Sequence, residues 1–224
     1  MDKRNAMILG ATGLVGQNLL RQMLACDMYD KILALVRRPL DIQHPKLVQQ
    51  QFNPDQLENF KTDFAVHDVF CALGTTIKTA GSKEAFKKVD FDYVVALGKW
   101  CAKNHVSKLM VVSAMGANPK SRVFYSQVKG EMENAISQMA IPQVQVFRPS
   151  LLMGQRTENR TGEKAAQGFM GALGFLFIGP LLKYKAIRAD VVANAMLNAA
   201  KLNKPGFTAY ESDVMQQMGE MQKT

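Results

Sequence analysis

The feature that most constrains the fold is a glycine-rich turn close to the start of the chain. Residues 6–9 form an apolar run that is long enough for a strand buried on both faces. The spacing GxxGxxG follows directly, and leucine and methionine side chains then recur at helical intervals over 19–24. A strand, a glycine turn and a helix in this order predict a site where a nucleotide binds.

Each glycine of this turn has its own physical reason. Gly10 lets the chain leave the strand in a tight turn, because it has no Cβ atom. Gly13 lets the backbone approach a pyrophosphate, and Gly16 lets the helix pack against the strand. The amides and the dipole of the helix then favour a bound phosphate. The alternative is a plain strand-to-helix turn, since the usual dinucleotide spacing is GxGxxG.

The composition is that of one globular domain in a reducing compartment. The chain has 224 residues, of which 47% are hydrophobic and 21% charged, and this argues against disorder. Residues 1–4 lead directly into the first strand, without the apolar region of a signal peptide. The three cysteines are far apart and lie in apolar segments. We therefore expect reduced core cysteines and a cytoplasmic protein.

Charge and metal-binding side chains narrow the functional classes. The net charge of +9 suits an anionic ligand, but the basic residues are dispersed and form no nucleic-acid-binding motif. We therefore expect no nucleic-acid partner. The histidines are isolated, and no Cys or His cluster has metal-ligand spacing, so we expect no metal site.

Strand and helix patterns alternate along the chain. This alternation predicts an α/β protein with a doubly wound parallel sheet, helices on both faces and a small C-terminal extension on the substrate side. We expect a single domain over 1–224, in which 150–187 and 205–224 form the substrate-side part. The predicted strands are 6–9, 31–36, 46–52, 69–73, 107–113, 144–147 and 207–210. One predicted helix follows the glycine turn, and the others are 55–61, 83–104, 125–139, 190–202 and 212–221. An exposed loop is predicted at 78–81. The helix 83–104 has an apolar stripe of Ala85, Val89, Tyr93, Leu97 and Cys101.

One long segment, 165–182, contains no charged side chain. Its length approaches that of a membrane span, but four glycines, a proline and a glutamine interrupt it. A substrate-pocket wall or a subunit contact is the favoured interpretation, and peripheral membrane contact is the alternative.

Candidate cofactor contacts lie where the second and third strands end. Arg37 and Arg38 stand where an Asp or Glu would bind the ribose of NAD. Two guanidinium groups would instead pair with a 2′-phosphate, which predicts NADP; solvent-facing side chains are the alternative. Phe52 and Asn53 end the third strand, where an adenine would stack or hydrogen-bond, although Asn53 also fits a helix N-cap before Pro54.

The fourth strand is followed by Gly74, Thr75 and Thr76. In a doubly wound sheet, ligands lie outside the carboxyl ends of the strands, near the point where the strand order reverses. Thr75 and Thr76 are therefore candidates for ribose or phosphate contact, with ordinary loop chemistry as the alternative.

A tyrosine and a lysine form the candidate catalytic pair. Tyr125 and Lys129 are four residues apart on one predicted helix, so they share a face. An ammonium near a phenol stabilises the phenolate and lowers the pKa of the tyrosine, which would let Tyr125 exchange a proton near neutral pH. The pair follows the glycine turn, the fifth strand and Ser113, and this context makes the spacing informative.

The glycine turn 10–16, the arginines after the second strand, the run 125–129 and the residues 147–149 occur together in one known family. On these motifs the chain resembles the atypical branch of the short-chain dehydrogenase/reductase superfamily, whose members are Rossmann-fold proteins. The runs 70–76 and 123–131 make it similar to the Tat-interacting protein group of NADPH-binding proteins within that branch.

The resemblance implies a role for each matching residue. Tyr125 would act as acid and base, and Lys129 would also bond the nicotinamide ribose. Ser113 would polarise the substrate carbonyl, unless it only bonds backbone at the strand end and Met115 occupies that place. The implied NADP(H) contacts are Gly10, Thr12, Gly13, Leu14 and Val15 at the pyrophosphate, Arg37 and Arg38 at the 2′-phosphate, Leu73 and Gly74 at the adenosine ribose and pyrophosphate, and 149–152, including Pro149 and Leu151, at the carboxamide.

The sequence therefore predicts an NADPH-dependent oxidoreductase that reduces a carbonyl of a small molecule, with Tyr125 supplying the proton. An NADPH-binding regulatory or interaction protein with little or no catalysis is the alternative, and a membrane-associated reductase is a third hypothesis. The family implies a homodimer through the long helices near Trp100 and Met132.

Overall fold

The structure, a computed structural model, describes residues 4–154 and 185–220. Seven strands form its main sheet, and all of their pairings are parallel. These strands are β1 (Arg4–Leu9), β2 (Tyr29–Val36), β3 (Leu47–Gln51), β4 (Asp68–Cys71), β5 (Lys108–Val112), β6 (Gln143–Arg148) and β9 (Gly206–Glu211). Their order is β3-β2-β1-β4-β5-β6-β9, and a separate pairing joins β7 (Leu152–Met153) to β8 (Ile187–Arg188).

Helices cover both faces of this sheet, as predicted. They are α1 (Leu14–Ala25), a 3₁₀ helix (Pro54–Asn59), α2 (Ile77–Ala80), α3 (Lys83–Lys87), α4 (Tyr93–Lys103), α5 (Phe124–Ser137), α6 (Ala189–Lys201) and α7 (Ser212–Glu220). A π-helical turn, Lys88–Asp92, joins α3 to α4. The predicted helix 83–104 is therefore confirmed, with this one irregular turn inside it.

Two apolar cores explain why the sheet forms. Ala6 and Ile8 pack in the core beneath α1 and α6, whereas Met7 and Leu9 pack in the core beneath α4 and α5. Successive side chains of a strand point to opposite faces, so a strand covered on both faces is apolar throughout. The interpretation of residues 6–9 as a doubly buried strand is confirmed.

A cluster of buried polar side chains lies at the amino-terminal ends of the central strands. The Asp68 side chain is fully buried, pairs with Arg4 and accepts a hydrogen bond of 2.9 Å from the Tyr29 hydroxyl. Burial raises the pKa of Asp68, although Arg4 and Tyr29 act in the opposite direction. The Lys108 ammonium donates hydrogen bonds to the carbonyls of Ala200 and Leu202 at the carboxyl end of α6. The helix dipole favours a cation at this end of the helix.

One local prediction is wrong. Residues 78–81 are not a loop: Thr76 caps the short helix α2 by accepting a hydrogen bond of 3.2 Å from the Thr79 amide. The predicted helix 212–221 is confirmed over its described residues as α7, and the hydroxyl of Ser212, its first residue, accepts a bond of 2.7 Å from the Ser150 amide.

The predicted substrate-side part is largely untested. The apolar run 165–182 and most of 150–187 lie outside the described residues. Of 205–224, the strand Gly206–Glu211 extends the main sheet beside β6. None of the helices in the described ranges is both long and apolar enough to cross a membrane.

Candidate active site

The glycine turn packs directly against the loop that follows β4. Gly10 has φ +82°, and a Cβ atom there would lie 2.5 Å from the carbonyl carbon and oxygen of Ala72. A Cβ atom at Gly16 would overlap the Gly10 carbonyl. Gly13 precedes α1 and donates a hydrogen bond of 3.0 Å to the Gly10 carbonyl. The close approach of strand, turn and helix thus requires glycine at positions 10 and 16.

The turn lies where the strand order reverses. β1 and β4 are neighbours in the sheet, while the next strands along the chain lie on opposite sides of them. The first amides of α1, at Leu14 and Val15, have no acceptor within the helix and face this crevice end of the strands. Thr12 and Gly13 are exposed, so a ligand can reach the turn. This is the arrangement in which helix amides bind phosphate.

The loop after β4 supplies the other side of the crevice. Leu73 is partly buried against the core beneath α4, and Gly74 is exposed. The Leu73 amide lies beside the glycine turn, since a Cβ atom at Gly10 would be 2.7 Å from its nitrogen. The contacts of Leu73 and Gly74 with the adenosine ribose and pyrophosphate stay predictions.

The arginines lie at the end of β2, beside the end of β3. Arg37 and Arg38 are exposed, and neither pairs with a carboxylate of the described residues. A shallow depression of about 430 Å³ is lined by Arg37, Gln51, Phe52, Asn53 and Pro54. Phe52 packs edge-on against Phe60, with ring centroids 5.5 Å apart. The predicted arginine and aromatic side chain thus share one open surface that could hold an adenosine phosphate.

Asn53 has the less specific of its two predicted roles. Its side chain accepts a hydrogen bond of 3.1 Å from the Asp55 amide and caps the 3₁₀ helix. The N-cap interpretation is confirmed.

The catalytic pair lies on α5 and includes a third group. Lys129 is buried, and its ammonium forms an ion pair of 2.7 Å with Asp90. The other carboxylate oxygen of Asp90 accepts a hydrogen bond of 2.9 Å from the Thr75 amide. Thr75 therefore contacts the site through its backbone, and the carboxylate connects the loop after β4 to the lysine.

The charges around Tyr125 act against one another. Burial raises the pKa of Tyr125, Lys129 lowers it and Asp90 raises it, and the result is above the ordinary value. The prediction that Lys129 lowers this pKa overall is wrong, because burial and the unforeseen carboxylate outweigh the ammonium. Tyr125 is consequently a neutral phenol at physiological pH, which is the protonation state of a proton donor.

Lys129 keeps its charge in the same surroundings. Burial lowers its pKa, but Asp90 and Tyr125 raise it, and the result lies above the ordinary value. The site therefore contains a buried ammonium beside a neutral phenol. The Tyr125 ring also packs against Phe86, with centroids 5.4 Å apart.

Ser113 makes a side-chain contact that neither sequence interpretation included. Its hydroxyl donates to Glu133 at 2.5 Å, and Glu133 forms an ion pair with Arg148. The amide of Ser113 donates to the Phe147 carbonyl at 2.7 Å. The hydroxyl is thus engaged by a buried carboxylate, so it has less freedom to polarise a carbonyl.

The segment after β6 reaches the same edge of the sheet. The Pro149 carbonyl accepts a bond of 3.0 Å from the Met115 amide, and the Leu151 carbonyl accepts one of 2.9 Å from Ile187. The Leu151 side chain is exposed. The contact of this segment with the carboxamide, which the family resemblance implies, stays a prediction.

Asp90 is the residue that sequence reasoning missed. The predicted stripe through Ala85, Val89 and Tyr93 is displaced by one residue, and Phe86, Asp90 and Val94 are buried instead. A single acid at four-residue spacing from two large apolar side chains was the available signal. Within residues 4–154 and 185–220, no group of three or more Cys, His, Asp or Glu side chains could hold a metal.

Comparisons with known proteins show the family and the fold of the chain. A family model described as NAD(P)H-binding matches residues 10–172. Protein HTATIP2 of Rattus norvegicus is 32% identical over 210 residues, which are 92% of this chain and 84% of that protein. Protein FMP52, mitochondrial, of Debaryomyces hansenii is 32% identical over 161 residues, 70% of each chain. The solved structure of human epimerase family protein SDR39U1 with NADPH has the same fold, at a TM-score of 0.63 and 16% identity over 92% of this chain and 74% of that one.

Proposed function

Because the chain belongs to the NAD(P)H-binding family and to the HTATIP2 group of the short-chain dehydrogenase/reductase superfamily, we propose that it reduces a carbonyl of a small molecule with NADPH. The observation that carries the proposal is the ion-paired Lys129 one helical turn from a neutral Tyr125. Both lie on a helix that starts on the side of the sheet where the strands have their carboxyl ends, and the glycine turn lies on the same side.

The chain's residues divide the work of the reaction. The α1 amides bind the pyrophosphate, and the Lys129 ammonium bonds the nicotinamide ribose. NADPH, when bound, supplies a hydride to the carbonyl carbon. Tyr125 gives its proton to the carbonyl oxygen, so that carbonyl, NADPH and one proton yield alcohol and NADP⁺. Lys129 stabilises the phenolate that remains until solvent returns the proton.

Turnover is tested by the loss of NADPH absorbance with aldehydes, ketones, quinones and sugars. Tyr125→Phe should lower kcat by about 100-fold or more, as expected for the loss of a general acid, while NADPH affinity stays unchanged. Tyr93→Phe is the matched control, because that tyrosine bonds the exposed Asp55. NADPH binding without turnover on the whole panel would refute the enzymatic proposal.

We also propose that the cofactor is NADP(H) rather than NAD(H). The support is that Arg37 and Arg38 are exposed side by side at the end of β2, with Arg37 lining the Phe52 depression, and that neither forms an ion pair with a carboxylate of the described residues. Replacing both by alanine should weaken NADPH binding by about 10-fold or more, since hydrogen bonds to charged groups contribute about 1.5–3 kcal/mol, and leave NADH binding unchanged. Arg21→Ala, on the exposed face of α1, controls for the lost charge.

One observation favours a second candidate function. The Ser113 hydroxyl donates to Glu133, so a carbonyl would lack one polarising donor. The chain would then be a regulatory protein whose partner recognises the NADPH-bound form. A pull-down with and without NADPH tests this, and partner binding that ignores the nucleotide would count against it.

We further propose a cytoplasmic homodimer. Trp100 and Met132 are buried inside one chain, so the contact would use exposed residues of the same helices. Light scattering of the purified chain should give twice the monomer mass, and imaging of the tagged protein tests its location. A monomer mass would contradict the dimer. A tagged protein found in mitochondria, the location that the name of the FMP52 relative gives for that protein, would contradict the cytoplasmic location.

A further inference from the structure

The residue of interest is Asp90, in the middle of the π-helical turn that joins α3 to α4. Its side chain is 1% exposed, and its partner Lys129 is 3% exposed. A π-helical turn inserts an extra residue into a helix and is frequent at functional sites. Here the turn brings a carboxylate into the buried face, between Phe86 and Val94.

Both oxygens of this carboxylate are committed to different elements. One oxygen lies 2.7 Å from the Lys129 ammonium on α5, and the other accepts the Thr75 amide at 2.9 Å. A Cβ atom at Gly74 would lie 3.6 Å from the first oxygen. The loop after β4 therefore packs directly on the carboxylate, and that loop also touches the glycine turn at Gly10.

We propose that Asp90 is a positioning residue that fixes Lys129 relative to the nucleotide loop and keeps the proton of the Tyr125–Lys129 pair in place. The contacts form a continuous chain from the glycine turn through the Thr75 amide and Asp90 to the lysine. This proposal rests on the proposed reductase function, but the contacts themselves can be tested without turnover.

The charge of Asp90 is the property that can be measured. Among residues 4–154 and 185–220, the titratable groups that act on the pair are Asp90 and the buried thiol of Cys71, and burial raises the pKa of that thiol to about 11. Asp90 is therefore the anion that retains protons on the pair. With the carboxylate neutralised, the first proton leaves the pair at lower pH, whichever of the two groups releases it.

The experiment is an NMR titration of the NADP⁺-bound chain with carbon-13-labelled tyrosine and lysine. Tyr125→Phe and Lys129→Met identify the two signals. Asp90→Asn should move the first deprotonation of the pair down by about one pH unit or more. Asp92→Asn, an exposed carboxylate in the same turn, should leave it within about 0.3 unit. An unchanged or raised titration in Asp90→Asn would overturn the proposal.

A second measurement applies if Asp90→Asn does not fold. Asp90→Asn combined with Lys129→Met leaves no unpaired charge, so the double variant should fold and show a cooperative urea transition. A double variant that also fails to fold would overturn the pairing. If the titration shifts but no carbonyl is ever reduced, the proposed function fails while the coupling of Asp90 to the pair stands.

Discussion

Replacing Gly10 by alanine should destabilise the folded chain in two ways. The first is backbone strain, because Gly10 has φ +82°. The second is a clash, because the new Cβ atom would lie 2.5 Å from the Ala72 backbone. Gly81 is a matched control: it has φ +87°, and no described atom lies within 4 Å of its Cβ position.

The expected magnitudes follow from these geometries. A left-handed conformation costs a non-glycine residue about 1–2 kcal/mol, and overpacking against a fixed neighbour adds about 1–3 kcal/mol. Gly81→Ala should therefore lose about 1–2 kcal/mol of unfolding free energy, and Gly10→Ala about 2–5 kcal/mol. For a chain of this length, each kcal/mol lowers Tm by about 2–4 °C.

Urea unfolding and calorimetry with NADPH measure both effects. The displaced turn in Gly10→Ala should also weaken NADPH binding by about tenfold or more, which corresponds to about 1.4 kcal/mol. Gly81→Ala should bind NADPH as the unmodified chain does. Equal losses of stability in the two variants, with unchanged NADPH affinity, would refute the assignment of the turn as the phosphate site.

Three further predictions concern buried polar groups. Ser113→Ala should lose about 1–3 kcal/mol of unfolding free energy, because the buried carboxylate of Glu133 then has one hydrogen-bond donor fewer. The same variant should change kcat by less than about tenfold. A larger loss of kcat would make Ser113 a catalytic residue. The ion pair of Asp90 and Lys129 should stabilise the fold fully below the ordinary lysine pKa of 10.5, and this stabilisation should be lost as the pH rises through the raised pKa of the folded state. The urea midpoint should therefore fall less steeply with rising pH in the double variant Asp90→Asn and Lys129→Met than in the unmodified chain. Parallel curves for the two proteins would contradict this. Tyr29→Phe should cost about 1–3 kcal/mol in urea unfolding, because Asp68 loses its 2.9 Å hydrogen bond; a neutral effect would show that Arg4 alone satisfies the carboxylate.

The parts of the fold that were predictable are those set by local pattern. The apolar run 6–9 is buried on both faces, and Gly10 has the left-handed conformation that a tight turn needs. Both follow from side-chain alternation and from the absence of a Cβ atom. The short helix α2 was missed because four residues carry no periodic signal.

The parts of the site that were missed depend on contacts between distant residues. Lys129 lies on α5 and Asp90 lies in the π-helical turn between α3 and α4, and the helical period of 3.6 gives no sign of that turn. The pKa of Tyr125 is raised by burial and by that carboxylate, and both depend on residues that are distant in the sequence. Glu133, which holds the Ser113 hydroxyl, likewise lies on a separate element from its partner.

A crystal structure of the chain with NADPH would show at once whether the glycine turn binds the cofactor and whether Tyr125 faces its reactive carbon. We expect the pyrophosphate on the amides after Gly13 and the 2′-phosphate beside Arg37. The reactive carbon of the nicotinamide should face a space that places a carbonyl carbon at about 3.5 Å and its oxygen within hydrogen-bonding distance of the Tyr125 hydroxyl. A nucleotide bound elsewhere would rule out the glycine turn as the cofactor site, and a nicotinamide that points away from Tyr125 would rule out this tyrosine as the proton donor.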